Sequence, residues 1–494
     1  MPGLAGSDRP KAQGSRGRRE SPRDDRARIP AGRGPPGGTA SMAADPAIGR
    51  PGRGQDGKPA VNAGDVRSVT ELEPGTTIAF AGSGGLDSCT ITRWLADRGI
   101  RVICLTGDLG QPDEDDIGDI ERRMLAAGAA GFRLIPLTGE LAEAGLRLVQ
   151  ADARYDGGYW NTTGIARHVL VHGLARELAG LRIGCLAHGS TGRGNDQVRF
   201  QVALNHLAPS VRLYAPWRDE EFLARFRGRA DMIDFCTERK IPIRATKQDP
   251  YSTDANMLGL THEAGDLESL DTPATLVRPV MTRWPQDAPD EPEAFEVRFE
   301  AGRPVRINGR AVGLAEAFRI ANERAGAHGI GLVHVVENRL VGLKSRGIYE
   351  QPGIELLGHC YELLRQLVLD APAREFFAAA SRVIAAQVYA GRWFTLASSM
   401  AERAVEEVSR LVTGTVRVDL YKGAIIERSL GDAPHSLYRG EHVSMEAVGD
   451  FDHHDSEGML RIMSLGARAL AEAGQARDRL AGGPGAGGAP PATP

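Results

Sequence analysis

Two glycines, two serines and one carboxylate crowd the stretch Ser83-Gly84-Gly85-Leu86-Asp87-Ser88, and such a set can grip phosphate. Glycines let backbone N–H groups approach a ligand closely, hydroxyls add donors, and an aspartate among phosphates serves to hold a metal ion or to orient the loop. A second stretch, Thr106-Gly107-Asp108-Leu109-Gly110-Gln111, could rest a sugar or base against exposed backbone. The third, Gly189-Ser190-Thr191-Gly192-Arg193-Gly194-Asn195-Asp196 with Arg199 beyond it, gathers hydroxyl, amide, carboxylate and guanidinium groups suited to a charged small molecule. Each has a plainer reading: βα turns are commonly rich in glycine and serine, and Asn195 could simply cap a helix. The lysine that a Walker loop needs after its second glycine is absent.

These stretches follow short apolar runs. Residues 76–81 read as a strand, and Ile91, Trp94 and Leu95 then recur at helical spacing until Gly99 ends the run. A strand, a tight loop and a helix start offer unpaired N–H groups and a favourable dipole to an anion. Strands at 102–105, 132–137, 183–187, 211–214 and 241–243 alternate with helices near 115–127, 139–151, 163–179 and after 196, which predicts an α/β fold with a parallel sheet. Residues 113–116 read as an acidic first helical turn. In open sheets of this type ligands lie beyond the carboxyl ends of the strands, where all three stretches fall. Phe200, Ala203, Leu204 and Leu207 form the burying stripe of the helix after 196 and leave Asn195 and Arg199 on another face. Beyond about 250 the pattern becomes α+β: a strand at 293–300, a hairpin over 303–310 turning at Asn308-Gly309, and a helix at 314–325. Helices near 354–370, 374–390 and 396–412, strands at 415–420 and 424–428, and a helix near 459–481 complete it.

With 494 residues the chain can form two or three domains with sizeable cores. The expected organisation is a disordered basic tail over 1–65, a nucleotide-binding domain over 66–248, a second domain over 249–455, a C-terminal helix over 456–481 and a disordered tail over 482–494. Residues 1–60 carry 12 Lys+Arg against 6 Asp+Glu within a net charge of −4, so a basic tail precedes an acidic body. That tail lacks aromatic residues and a fold, and no nucleic-acid partner is expected. Five scattered cysteines never form a Cys-x-x-Cys pair, which argues against a disulfide framework or zinc site and for a reducing cytoplasm. No run approaches the ~20 apolar residues of a membrane span, so no membrane association is expected. His168 and His172, four apart on one helix, lack a carboxylate of matching spacing and read as structural.

Several further blocks carry a resemblance. Asp108-Leu109-Gly110-Gln111, His188 through Asp196, Ala215-Pro216-Trp217, Pro250-Tyr251-Ser252-Thr253-Asp254, Glu337-Asn338-Arg339 and Lys344-Ser345-Arg346-Gly347-Ile348-Tyr349-Glu350 resemble, in order, the argininosuccinate synthase family. The resemblance spans roughly 75–460. Ser83 through Ser88 itself resembles the pyrophosphate loop of the ATP pyrophosphatase superfamily, whose nucleotide-binding domain is of the adenine nucleotide alpha hydrolase-like type. Asn161-Thr162-Thr163, Asn256-Met257-Leu258-Gly259 and Thr261-His262-Glu263-Ala264 resemble the longer of the family's two varieties.

The resemblance implies an ATP-dependent ligase of arginine biosynthesis: the ureido oxygen of citrulline attacks the α-phosphate of ATP, pyrophosphate leaves, and the amine of aspartate displaces AMP to give argininosuccinate. It also implies a cytoplasmic homotetramer assembled through the second, synthetase/multimerisation domain and the C-terminal helix. Carried over by motif, Ala81, Gly82, Ser83, Gly84, Gly85, Leu86, Asp87, Ser88 and Cys89 would hold pyrophosphate and ATP, with Gly107, Gly189, Thr191, Asp196 and Asp254 beside the nucleotide. Aspartate would meet Thr191, Asn195 and Asp196; citrulline would meet Tyr159, Asn195, Arg199, Ser252, Thr261, Glu263, Glu337 and Tyr349. Asp87, Asp196 and Arg199 are the expected catalytic groups, Asp196 as an acceptor for the proton of aspartate's ammonium. No metal site built by the protein is expected; magnesium would enter on the ATP phosphates. Residue chemistry agrees, since an α-carboxylate wants guanidinium and hydroxyl donors whereas an α-ammonium wants carboxylate and phenol acceptors.

The chain also departs from the family pattern. An aromatic residue usually runs straight into Ser-Gly-Gly, but Ala81-Gly82 intervenes here after Phe80, either as a two-residue insertion or as a glycine in the aromatic position. Ser88-Cys89 stands for Thr-Ser and Gly107 for Ala; Cys89 reads as a small filler with a thiol open to activation by the helix start. Two other readings stay open at this point, a related adenylating ligase that takes another amine and a nucleotide-binding protein without turnover.

Overall fold

The computed structural model describes residues 64–477, apart from 115, 245, 247–249, 445 and 447–451. The tails expected over 1–65 and 482–494 lie outside the described residues, save 64 and 65. Strands β1 (Thr77–Ala81), β2 (Arg101–Asp108), β3 (Gly131–Pro136), β4 (Cys185–His188) and β5 (Arg212–Tyr214) form a parallel sheet in the order β3-β2-β1-β4-β5. Ile78, Ala79 and Phe80 are all fully buried, as a strand covered on both faces requires. The order reverses between β1 and β4, which opens a crevice at their carboxyl ends.

Helices α1 (Leu86–Ala96), α2 (Ile117–Ala126), α3 (Thr138–Ala151), α4 (Thr162–Leu181), α5 (Asp196–Leu207), α6 (Glu220–Arg225) and α7 (Arg229–Glu238) belong to this first half. The expected acidic turn is shorter than read: Asp116 is the N-cap of α2, accepting from the Gly118 N–H at 2.9 Å, and Asp113 and Glu114 stay in the preceding loop. Residues 241–243 form no strand. The Ile241 N–H instead closes α7 by donating to the Cys236 carbonyl at 2.9 Å, and Pro242 has no N–H to give a ladder.

The second half holds two antiparallel sheets. Its strands are β6 (Ser252–Asn256), β7 (Gly259–Glu263), β8 (Glu293–Glu300), β9 (Arg303–Ile307), β10 (Arg310–Ala311), β11 (Leu332–Asn338), β12 (Lys344–Glu350), β13 (Gly414–Tyr421) and β14 (Ala424–Gly431). One sheet has the order β10-β9-β8-β13-β14, as the hairpin and strand-pair signals predict; the other, β11-β12-β7-β6, is absent from the sequence reading. Helices α8 (Leu314–Ala327), α9 (Pro352–Val368), α10 (Ala371–Tyr389) and α11 (Leu396–Ser409) pack with them, and one apolar cluster joins Leu105 and Val149 to Phe299, Phe318 and Leu357. After the short turn α12 (Gly440–Val443) comes α13 (His453–Glu472), which starts earlier than expected and ends before Gly474, a residue at φ 66.

Strand alternation sorts β7 and β12 into two faces. Thr261 and Tyr349 are register partners on one face, while His262 and Ile348 pair on the other, with Glu350 on that same back face. There Glu350, fully buried, lies 2.6 Å from His262 and accepts from the N–H groups of Val280, Met281 and Thr282 at 2.9, 2.7 and 2.8 Å. This carboxylate ties two strands to the loop below them. Glu350→Ala leaves those donors buried without an acceptor and is expected to cost about 3–5 kcal/mol in urea unfolding.

Candidate active site

A cavity of ≈ 660 Å³ opens at the carboxyl ends of β1, β2 and β4, walled opposite by β6, β7, β11 and β12. All three chemistry-bearing stretches reach it: Ala81, Gly82, Ser83, Gly85, Asp87 and Ser88 from the first, Gly107 and Gln111 from the second, and Gly189, Thr191, Asn195 and Asp196 from the third. Asp254, Thr261, Glu263, Glu337 and Tyr349 face them, with Tyr159 and Arg199 between. Gly84, Leu86, Cys89 and Ser252 do not line it.

The first loop is held by its own hydroxyls. Ser83 N–H donates to Ser88 Oγ at 3.1 Å, and the two hydroxyls lie 3.2 Å apart. Asp87 Oδ1 accepts from Trp217 Nε1 at 2.9 Å, so the Ala215-Pro216-Trp217 block orients this carboxylate. Burial pushes the Asp87 carboxyl up, and the Trp217 bond opposes that. Pairing of β1 with β2 runs unbroken to Ala81, and the Gly82 N–H continues it to the Leu105 carbonyl at 3.1 Å, which favours a replaced aromatic over an insertion. A Cβ on Gly82 would stand 3.2 Å from Met124 Cε and 3.3 Å from Phe80 Cδ1, so those side chains already fill its room.

The expected members missing from the lining have physical reasons. Leu86 packs into the core, and Gly84 backs onto α2. Cys89 is fully buried with its thiol 3.6 Å from the Gly84 carbonyl, and burial pushes that thiol up to about 12. It is a filler beneath the loop, and the expected activation does not occur. Ser252 Oγ accepts from Arg229 at 3.4 Å outside the cavity.

At the centre lies a cation that sequence reasoning missed. Asn161 starts α4 at φ 57, a conformation asparagine tolerates, and its amide donates to the Ala153 and Ala385 carbonyls. That start aims Thr163 and, one turn on, Arg167 into the cavity. Arg167 Nε donates to Asp196 Oδ2 at 2.8 Å while Nη2 donates to Asp254, and Arg199 Nη1 takes Asp196 Oδ1 at 2.8 Å. Burial would raise Asp196, but the two guanidiniums prevail and hold it at about 2. With both oxygens engaged, this carboxylate holds the two guanidiniums in place. The same helix carries His168, bonded to the Val388 carbonyl at 3.1 Å and kept neutral by burial, and His172, which meets Glu140 of α3 at 3.3 Å. The Thr163/Arg167 spacing was the available signal; the histidines beside it were the more conspicuous residues.

The far wall is aromatic and acidic. Tyr159 and Tyr349 stack with centroids 4.1 Å apart, and the Tyr159 hydroxyl accepts from the Thr163 N–H at 2.9 Å. Asn195 stands at the N-cap position of α5 but its side chain makes no cap bond: its amide donates to the Tyr389 hydroxyl at 2.7 Å and accepts from the Leu340 N–H at 2.9 Å. Glu263 pairs with Arg339 at 2.9 Å, whereas Glu337, 5% exposed, has an Oε2 with no hydrogen bond. Burial pushes both carboxyls up, and Glu263 adds to the rise of Glu337. Ala264, next to Glu263, sits at φ 68, ψ −176, a conformation that costs a residue with a side chain on the order of 1–3 kcal/mol. Phosphate donors thus face cation-accepting carboxylates across a pair of oriented guanidiniums.

The sequence matches that of known proteins. Residues 77–242 match the family described as "Arginosuccinate synthase N-terminal HUP domain", and 251–470 match "Arginosuccinate synthase C-terminal domain". An argininosuccinate synthase of Rhodopirellula baltica is 39% identical over 394 residues, covering 79% of this chain and 96% of that protein. Those of Thermotoga maritima and Gallus gallus are each 35% identical, covering 78% and 80% of this chain and 96% and 95% of their own lengths. Among solved structures, a predicted subunit of tRNA methyltransferase from Methanocaldococcus jannaschii overlays 33% of this chain and 76% of its own with a TM-score of 0.24 and 15% identity, too slight a likeness to carry an argument.

Glu337 makes the cavity's electrostatic cost measurable. Below the ordinary carboxyl value of 4.5 it is protonated in folded and unfolded chains alike; above its raised folded value it must hold a buried charge. Its contribution to stability therefore falls as pH rises through that window. Glu337→Gln is expected to raise the Tm by a few degrees at pH 8 and to leave it unchanged at pH 4, read by thermal unfolding across pH.

Proposed function

The chain belongs to the argininosuccinate synthase family, the AMP-forming, ATP-dependent carbon–nitrogen ligases, and we propose that it joins citrulline to aspartate in the cavity just described. The observation that carries this reading is the single cavity in which the Ser83–Ser88 loop, the Arg167–Asp196–Arg199 chain and the Glu263, Glu337 and Tyr349 wall face one another. In this reading ATP phosphates lie on Ser83, Gly85 and Ser88, with Gly107, Gly189 and Asp254 beside the nucleotide. The α-ammonium of citrulline meets Glu263 and Glu337, and its carboxylate meets Arg199, which leaves the ureido oxygen directed at the α-phosphate beside Arg167.

Bond making then needs no covalent enzyme nucleophile. The ureido oxygen bonds to the α-phosphorus as pyrophosphate departs, and the amine of aspartate, near Thr191 and Asn195, attacks the activated carbon as AMP leaves. Positioning and stabilisation of phosphoryl charge do the catalysis. Asp196 keeps both guanidiniums aimed rather than moving a proton. The residues fit a magnesium ion carried on ATP, since Asp87 offers a hard carboxylate beside the loop. The ion would be held mainly by phosphate and would neutralise its charge.

The proposal extends to a homotetramer. Met459, Leu460, Ile462, Met463 and Leu465 on α13 are each more than half exposed, and α13 buries no residue within the chain, so this apolar face calls for a second copy. A nucleotide-binding domain over 66–248 and a synthetase/multimerisation domain over 249–455 divide the work. Among the described residues no helix is long and apolar enough to cross a membrane, and a cytoplasmic site of action is proposed.

Incubation with Mg-ATP and citrulline, with and without aspartate, is expected to yield AMP, pyrophosphate and argininosuccinate together only when both amino acids are present, read by mass spectrometry. Products with another amine but not with aspartate would overturn the substrate assignment. Asp87→Ala is expected to abolish pyrophosphate release while the circular dichroism spectrum stays unchanged; full turnover in that variant would refute the role given to the loop.

A further inference from the structure

One buried cation at the cavity takes no part in the mechanism above. Arg123 of α2 has a side chain 5% exposed, and it touches two segments outside its own helix. Its Nη1 donates to the Gly84 carbonyl at 2.7 Å, Nη2 grips both oxygens of Glu114 at 3.0 and 3.1 Å, and Nε lies 3.2 Å from Asp119. Arg244 meets the same Glu114 at 2.8 Å.

A trans peptide is planar, with its carbonyl and N–H pointing opposite ways. Holding the Gly84 carbonyl on the Arg123 guanidinium therefore turns the Gly85 N–H the opposite way, toward Ser83, which with Gly85 lines the cavity. Within the loop this N–H reaches Ser83 Oγ at 3.4 Å, a weak bond that a phosphate oxygen can replace. Glycine on both sides of the peptide, with Gly84 at φ +72, leaves its orientation to hydrogen bonds, and the other donor to the Gly84 carbonyl, the Cys89 thiol at 3.6 Å, is weaker than a guanidinium at 2.7 Å. The reverse orientation would present a carbonyl oxygen to the phosphates.

We propose that Arg123 is the positioning residue that locks the Gly84–Gly85 peptide with its N–H toward the ATP phosphates, Glu114 fixing the guanidinium from the second nucleotide loop. The inference rests on the reading of this cavity as an ATP site. A merely structural Arg123 would stabilise the fold without favouring one substrate.

The full-length chain, Arg123→Met, Arg123→Lys and, as a control, Arg122→Met are compared by steady-state kinetics and by calorimetric titration with inorganic pyrophosphate. Arg122 is an exposed neighbour paired with Asp116 and Asp119, and its loss is expected to change neither readout. Arg123→Met is expected to lose roughly 10²-fold in kcat/KM for ATP, with a comparable loss of pyrophosphate affinity, while KM for citrulline and aspartate stays within about threefold. Arg123→Lys recovers part of the loss, because an ammonium can reach the Gly84 carbonyl but cannot fork onto both Glu114 oxygens. Unchanged kcat/KM for ATP in Arg123→Met, or equal loss toward all three substrates, overturns the proposal. Should that variant not fold, Glu114→Gln, which frees the guanidinium, is judged by the same criterion. An inactive parent chain would instead overturn the ATP reading itself, so the two failures are told apart.

Discussion

Four charges in a row, Arg199, Asp196, Arg167 and Asp254, hold the cavity together. They link α5 to α4 and α4 to β6, and so join the helices of the parallel sheet to the antiparallel sheet that faces it. Their charges sum to zero, which spares the cavity wall an uncompensated ion; Arg199, its side chain 5% exposed, is the deepest of the four and Asp254, 34% exposed, the shallowest. The same pairing keeps two guanidiniums extended before an anionic ligand arrives. Little reorganisation is then left for the reacting complex, which is how fixed dipoles and charges lower a barrier.

Around this row the structure accepts local cost. Glu337 keeps an unbonded buried oxygen, and Ala264 takes a backbone conformation that suits glycine. Both flank the wall of β7 and β11, where function rather than stability sets the residue. The back of that wall compensates. His262 and Glu350, one residue from Thr261 and Tyr349 respectively, turn away from the cavity into a fully bonded carboxylate site. Alternation along a strand thus puts a ligand-facing set and a set gathered on one fully bonded carboxylate on opposite faces of the same short segments.

The parallel sheet was legible because its signals are local: Ile78 to Phe80 are apolar and β-leaning, Gly84 and Gly85 break the run, and α1 resumes at helical period. The loops at its strand ends followed from topology alone. β6 and β12 were not legible, since Ser252 to Asn256 is polar almost throughout and Lys344 to Glu350 carries Arg346 and Glu350 on its buried back face, where a strand ordinarily shows apolar residues. Ile241 and Ile243 looked like a strand for the converse reason, being apolar residues that bury without pairing around Pro242. Arg167 escaped because its meaning depends on Asp196 and Asp254, 29 and 87 residues away. Resemblance to a family supplied the far wall's members, but not the geometry that leaves Cys89 and Ser252 off the cavity or sets Asp196 between two guanidiniums.

The raised carboxyls of Glu263 and Glu337 bear on more than stability. Before a ligand enters, both hold their protons more tightly than ordinary side chains do, because burial disfavours their charge. In the citrulline site proposed above, an arriving ammonium reverses that preference, so the amino acid and the proton compete for the same oxygens. Each proton the two carboxyls hold is then exchanged for the charge of the substrate, and affinity weakens as the surroundings acidify toward their raised range.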